Sequence, residues 1–146
     1  MTEQEIKQRL GRYLALRAET ENRLERLARL KNNAELPAMR TGDGSQHTGS
    51  SGDRMARAVE VYLAYEDQIK PQIEANQMEM IAIRAMVEAL QDPMEREVLR
   101  LRYMDGEHCR MLSWREVAWK IYGEADDAAV CRVKRKYQKA ISHIAR

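Results

Sequence analysis

The chain has 146 residues, a third of them charged, and its 25 Lys and Arg against 23 Asp and Glu leave a formal net charge of +2. So many charges confine buried apolar surface to helix seams and allow one modest core. No apolar run is long enough to span a membrane and the first residues are polar and charged, so a cytoplasmic protein with no membrane partner is expected.

Residues 3 to 32 set Ile6, Leu10, Tyr13, Leu14, Leu24, Leu27 and Leu30 among charges such as Arg9, Glu19, Arg23 and Glu25. This is the pattern of an amphipathic helix built from helix-favouring side chains, and it needs a partner helix. From 33 to 53 the composition turns to Gly, Ser, Thr and Asn, with Gly42, Gly44, Gly49 and Gly52 clustered. Such a stretch buries too little to offset its ordering entropy and is expected to be a flexible linker.

From Met55 a heptad-like series follows: Met55, Val59, Tyr62, Glu66, Ile69, Ile73, Asn76, Met80, Ile83, Val87 and Leu90. Only Glu66 and Asn76 depart from apolar character, so the spacing predicts a coiled-coil or bundle seam. The length of that seam predicts self-association, most simply a homodimer. Pro71 should kink the helix or begin a new segment, since it removes a backbone donor and crowds the preceding turn. Met78, Met80 and Met86 are expected to be ordinary core residues.

The last part of the chain is richer in signals. Asp92-Pro93-Met94-Glu95 offers a cap, a proline suited to the first helical position and an acid near the N-terminal end of the dipole. Ser113-Trp114-Arg115-Glu116 is a capping box that should start a short helix at Trp114, with Val117, Ala118 and Ile121 on one face and Gly123 ending it. Trp114 and Trp119 cannot share a face of that helix, so one should pack and the other stand exposed. After an acidic turn, Asp126 or Asp127 caps a final helix in which Val130, Val133, Tyr137, Ile141 and Ile144 recur at helical spacing.

The opposite face of this final helix carries Ala128, Arg132, Arg135, Lys136 and Lys139. From Ala128 onward six Lys or Arg and no acid give a local charge of +6. A basic helix alone is as often a solvated face as a nucleic-acid contact. The short capped helix and Gly-containing turn before it favour a helix-turn-helix, whose second helix needs small or polar residues near its start to enter the major groove. Ala128 and Ala129 meet that need.

Leu90, Pro93 to Arg96, Val98 to Tyr103, Gly106 and the run Ser113-Trp114-Arg115-Glu116-Val117-Ala118 closely resemble region 4 of bacterial sigma factors. There a leucine, an Asp-Pro-like cap, an Arg-Glu-x-Val-Leu-x-Leu-Arg-Tyr run and a glycine precede a Ser/Thr-x-x-Glu-Val/Ile-Ala helix. The loop from Asp105 to Leu112 is longer here than the usual sigma-type connection. Further upstream the chain resembles small phage and prophage late-gene transcription regulators of the RinA and ArpU type, which carry such a domain behind a helical N-terminal half. The resemblance implies promoter binding and late-gene activation.

The expected fold is therefore all-α, a helical hairpin or coiled-coil N-terminal region followed by a sigma region 4-like helix-turn-helix domain. Residues 1–90 would form the scaffold, with the linker at 33–53, and residues 91–146 the DNA-binding domain. Arg132 and Arg135 would reach base edges or adjacent phosphates; Lys134, Lys136 and Lys139 would contact phosphates; Arg115 and Lys120 would grip the backbone from the preceding helix. Double-stranded DNA is the expected partner, with host RNA polymerase as a further one. A small terminase-type packaging protein and a sigma-like polymerase-binding adaptor are the alternatives. A zinc site from His108, Cys109, Cys131 and His143 matches no familiar spacing, the two cysteines read as reduced thiols, and no catalytic constellation is visible, so neither enzyme nor cofactor is expected.

Overall fold

A computed structural model describes residues 1–35 and 50–146, the side chains of 50 and 51 excepted. Among the described residues the chain is all-α, with helices α1 (Glu3–Glu35), α2 (Ser50–Glu88), α3 (Pro93–Tyr103), α4 (Trp114–Tyr122) and α5 (Asp127–Ala145) and a short 3-10 turn at Glu107–Cys109. None of these helices is long and apolar enough to cross a membrane. Two compact units divide the chain: residues 1–18 with 76–146, and residues 19–75.

Both long helices outrun the expected linker boundaries. Of the 33–53 stretch, residues 33–35 belong to α1 and 50–53 to α2, while 36–49 lie outside the described residues. α1 starts on a signal passed over in the sequence, Thr2-x-x-Glu5. The Thr2 hydroxyl accepts the Glu5 N–H and the Glu5 carboxylate takes the Thr2 N–H at 2.6 Å, a capping box like that at Ser113.

In the unit formed by residues 19–75, Thr20, Ala34, Ile69 and Ile73 are buried, and the Arg26 guanidinium lies over the Tyr65 ring at 4.8 Å. Pro71 neither ends α2 nor begins a new segment. It sits on the exposed face, while Ile69 and Ile73 on either side are held by burial. That packing offsets the loss of one backbone hydrogen bond.

In the other unit, one apolar cluster gathers Ile6, Leu10, Tyr13 and Leu14 of α1 with Ile83 and Val87 of α2, Val98 and Leu99 of α3, Val117 and Ala118 of α4, and Val133, Tyr137 and Ile141 of α5. The heptad-like series is buried at 69, 73, 83 and 87 of α2 and at Leu90 just beyond it, and is exposed at 55 and 59. Met80 and Met86 pack against the cluster as expected, but Met78 does not. It falls on the outward face of α2 and is 71% exposed.

The ends of the three short helices follow their local chemistry. Asp92 caps α3 by accepting the Met94 N–H at 2.8 Å, with Pro93 at the first helical position. Ser113 and Glu116 form the reciprocal box on α4, and Gly123 ends it at φ +69, a conformation open to glycine without a Cβ penalty. Asp126 is the α5 cap, accepting the Ala129 N–H at 2.8 Å.

An aromatic junction joins these helices. The Tyr103 and Tyr137 hydroxyls lie 3.0 Å apart, the Trp114 and Tyr137 ring centroids are 4.9 Å apart, and the Arg102 guanidinium stacks over Trp114 at 4.3 Å while donating to the Leu112 carbonyl. Burial, then the Tyr103 hydroxyl, push the Tyr137 phenol above the ordinary tyrosine range. The α3 to α4 connection folds tightly to make this possible. His108 and Cys109 both adopt φ +55, and Gly106 approaches Arg110 so closely that a Cβ there would lie 1.7 Å from the Arg110 carbonyl oxygen.

That contact is with backbone, which cannot swing aside like a side chain. Gly106→Ala should therefore destabilise the protein by about 2 kcal/mol or more, read from the midpoint of urea unfolding. An unchanged midpoint would show that the loop relaxes freely and does not constrain α4.

Candidate nucleic-acid interface

The roll of α5 decides which of its basic residues are available. Ala129, Val133, Tyr137, Ala140 and Ile141 are buried, which turns Ala128, Cys131, Arg132, Arg135, Gln138 and Lys139 outward. Lys134 is exposed on one flank and Lys136 half-buried on the other. Of the two alanines expected to ease entry into a groove, only Ala128 is at the surface. Ala129 is a core residue, because the helix buries the face that also holds Val133, and the small side chain allows close packing there.

The basic residues fall into two kinds. Lys136 Nζ lies 2.8 Å from Asp92 Oδ2, so it ties α5 to the cap of α3. Arg115 donates to the Ala125 carbonyl at 2.8 Å and to Asp127 at 3.0 Å, which fastens the start of α4 to the turn and to the first residue of α5. Lys120, Lys134, Arg135 and Lys139 are exposed and pair with no acidic side chain among the described residues. Arg132 is intermediate in character, its guanidinium 5.8 Å from the centroid of the Tyr122 ring and otherwise exposed.

Most acids near this surface are engaged in caps or ion pairs, while Glu124 in the turn is exposed. Asp126 caps α5, Asp127 holds Arg115, Glu116 completes the α4 capping box and meets Arg110 at 3.3 Å, and Asp92 holds Lys136. Glu95, only 2% exposed, faces His143 Nδ1 at 2.8 Å, a pairing that the sequence did not announce because the two residues lie 48 positions apart. From Ala128 onward the outward stripe of α5 carries no carboxylate; Asp127, the first residue of the helix, is exposed and paired with Arg115. On α4, Trp114 packs against Tyr137 whereas Trp119 is 62% exposed on the face shared with Arg115 and Lys120. Among the described residues no three His, Cys, Asp or Glu side chains come together as a metal site, and neither cysteine forms a disulfide.

The Asp92 to Lys136 pair makes a prediction about acid stability. Lys136, then the Met94 N–H, hold the Asp92 carboxyl below its usual range. A carboxyl lowered on folding contributes stability above its unfolded pKa of about 3.9, and that contribution is lost as pH falls through the folded value. Asp92→Asn keeps a capping side chain but removes the charge. Its stability should therefore fall less steeply than that of the wild type on acidification from neutral pH to about 2, measured by urea unfolding at each pH. Parallel curves for the two proteins would show that the pair contributes nothing.

No protein-family model, curated protein or solved structure matches this chain.

Proposed function

We propose that this protein is a sequence-specific double-stranded DNA-binding regulator of transcription, acting in phage or prophage late-gene control, with α4, the turn and α5 as a helix-turn-helix. The observation that carries this reading is the division of labour among the cations. Lys134, Arg135 and Lys139 stand outward on α5 with no acidic partner among the described residues, while Asp92, Asp126 and Asp127 are held in caps and ion pairs. A helix that is apolar on its core face and cationic on its outer face beyond its first residue is suited to lie along phosphates.

The local geometry supports the same reading. A short helix with a capping box, a left-handed glycine and a brief turn lead into a capped second helix, which is the order required of a helix-turn-helix. Arg115, still largely exposed, also fastens the turn. Host RNA polymerase is a second partner favoured by one specific feature: the exposed Trp119 ring on α4, beside Lys120, offers a protein the large rigid contact that hot spots favour.

Binding measured by fluorescence anisotropy over a range of salt concentrations tests the proposal. Lys134→Ala and Lys139→Ala should weaken every duplex alike and reduce the salt slope by about one each, whereas Lys136→Ala, which removes a cation already committed to Asp92, should leave the slope unchanged. Bound duplex should also protect Cys131, which lies in the outward stripe, from alkylation. Duplex binding that leaves Cys131 fully reactive and is indifferent to Lys134 and Lys139 would move the interface off α5.

A further inference from the structure

The roll of α5 also limits what it can read. Within its first turns, the outward side chains are Asp127, whose carboxylate is paired with Arg115, and then Ala128, Cys131, Arg132 and Arg135. Two of these are guanidinium forks whose geometry matches the O6 and N7 acceptors of guanine, and one is a methyl group of the kind that packs against the thymine C5-methyl. No Asn occupies this part of the stripe, and its one carboxylate, Asp127, is held by Arg115, so the side chain that pairs with adenine N6/N7 is missing and the one that could accept from cytosine N4 is engaged. Gln138 comes only at a later turn.

The two forks are differently prepared. Arg132 has its guanidinium near the Tyr122 ring, which limits the rotamers it must give up on binding, and Arg135 has no acidic partner among the described residues. Three residues of helix advance about 4.5 Å, against about 3.4 Å between successive bases, so side chains at 132 and 135 reach bases within about two steps of each other. Ala128 lies one turn nearer the helix start.

Resting on the DNA-binding reading above, we infer that α5 recognises a guanine-containing half-site. It has two guanines no more than about two base-pair steps apart, contacted by Arg132 and Arg135, with a thymine on the Ala128 side.

Selection from a pool of random duplexes with the full chain should return this pattern. Arg132→Lys and Arg135→Lys keep the charge but lose the fork, so each should relax the preference at one guanine and weaken binding to the selected duplex about tenfold or more, with the salt slope unchanged. Replacing either guanine by 7-deazaguanine, which lacks the N7 acceptor, should weaken the wild type more than the matching Lys variant, which has no fork to span N7 and O6 together. A selected motif without guanine, or Lys variants that bind like the wild type, would overturn the inference while leaving DNA binding in place. If no duplex is bound even at low salt, the DNA-binding reading fails and the half-site with it.

Discussion

Burial of Tyr137 is the constraint on which the rest of the C-terminal arrangement depends. Its ring meets Trp114 of α4, its hydroxyl meets Tyr103 of α3, and Lys7 of α1 approaches the same ring at 5.8 Å. A helix anchored at one bulky position can neither slide nor roll without breaking several contacts together, because close-packed interiors have few alternative arrangements. The roll of α5 follows from that anchor. With Tyr137 inward, Arg132, Arg135 and Lys139 point away from the core.

Charge placement follows the same logic. The cations nearest the helix junctions, Arg115 and Lys136, are drawn into pairs with Asp127 and Asp92, and those farther from an acid remain available. Surface pairs of this kind contribute little energy individually. Their consequence here is positional: they join α4 to the turn and α5 to the cap of α3. Total basic charge therefore overstates the ligand-facing charge.

The long helices do more than serve as a separate scaffold. Ile6, Leu10, Tyr13 and Leu14 lie in the same buried cluster as Val117 and Ile141, so the first turns of α1 complete the core that holds the short helices. Three short helices of such a charged sequence offer little apolar surface of their own, and small cores are marginal. The compact unit accordingly draws on residues 1–18 and 76–90 as well as the C-terminal stretch.

Local chemistry was legible in the sequence alone. The caps at Asp92 and Ser113, the glycine stop at 123, the separation of Trp114 from Trp119 and the apolar face of α5 all depend on residues within a few positions of one another. Hydrogen bonds and dihedral preferences act over that range. The same kind of signal at Thr2 and Glu5 was equally available. Tertiary structure alone decided which partners met across the chain: Lys136 with Asp92, Arg115 with Asp127, His143 with Glu95, and Ala129 in the core with Ala128 outside. These outcomes depend on the roll of one helix against others far away in sequence, and periodicity specifies a face only to within about a residue's rotation, whereas close packing selects a single one.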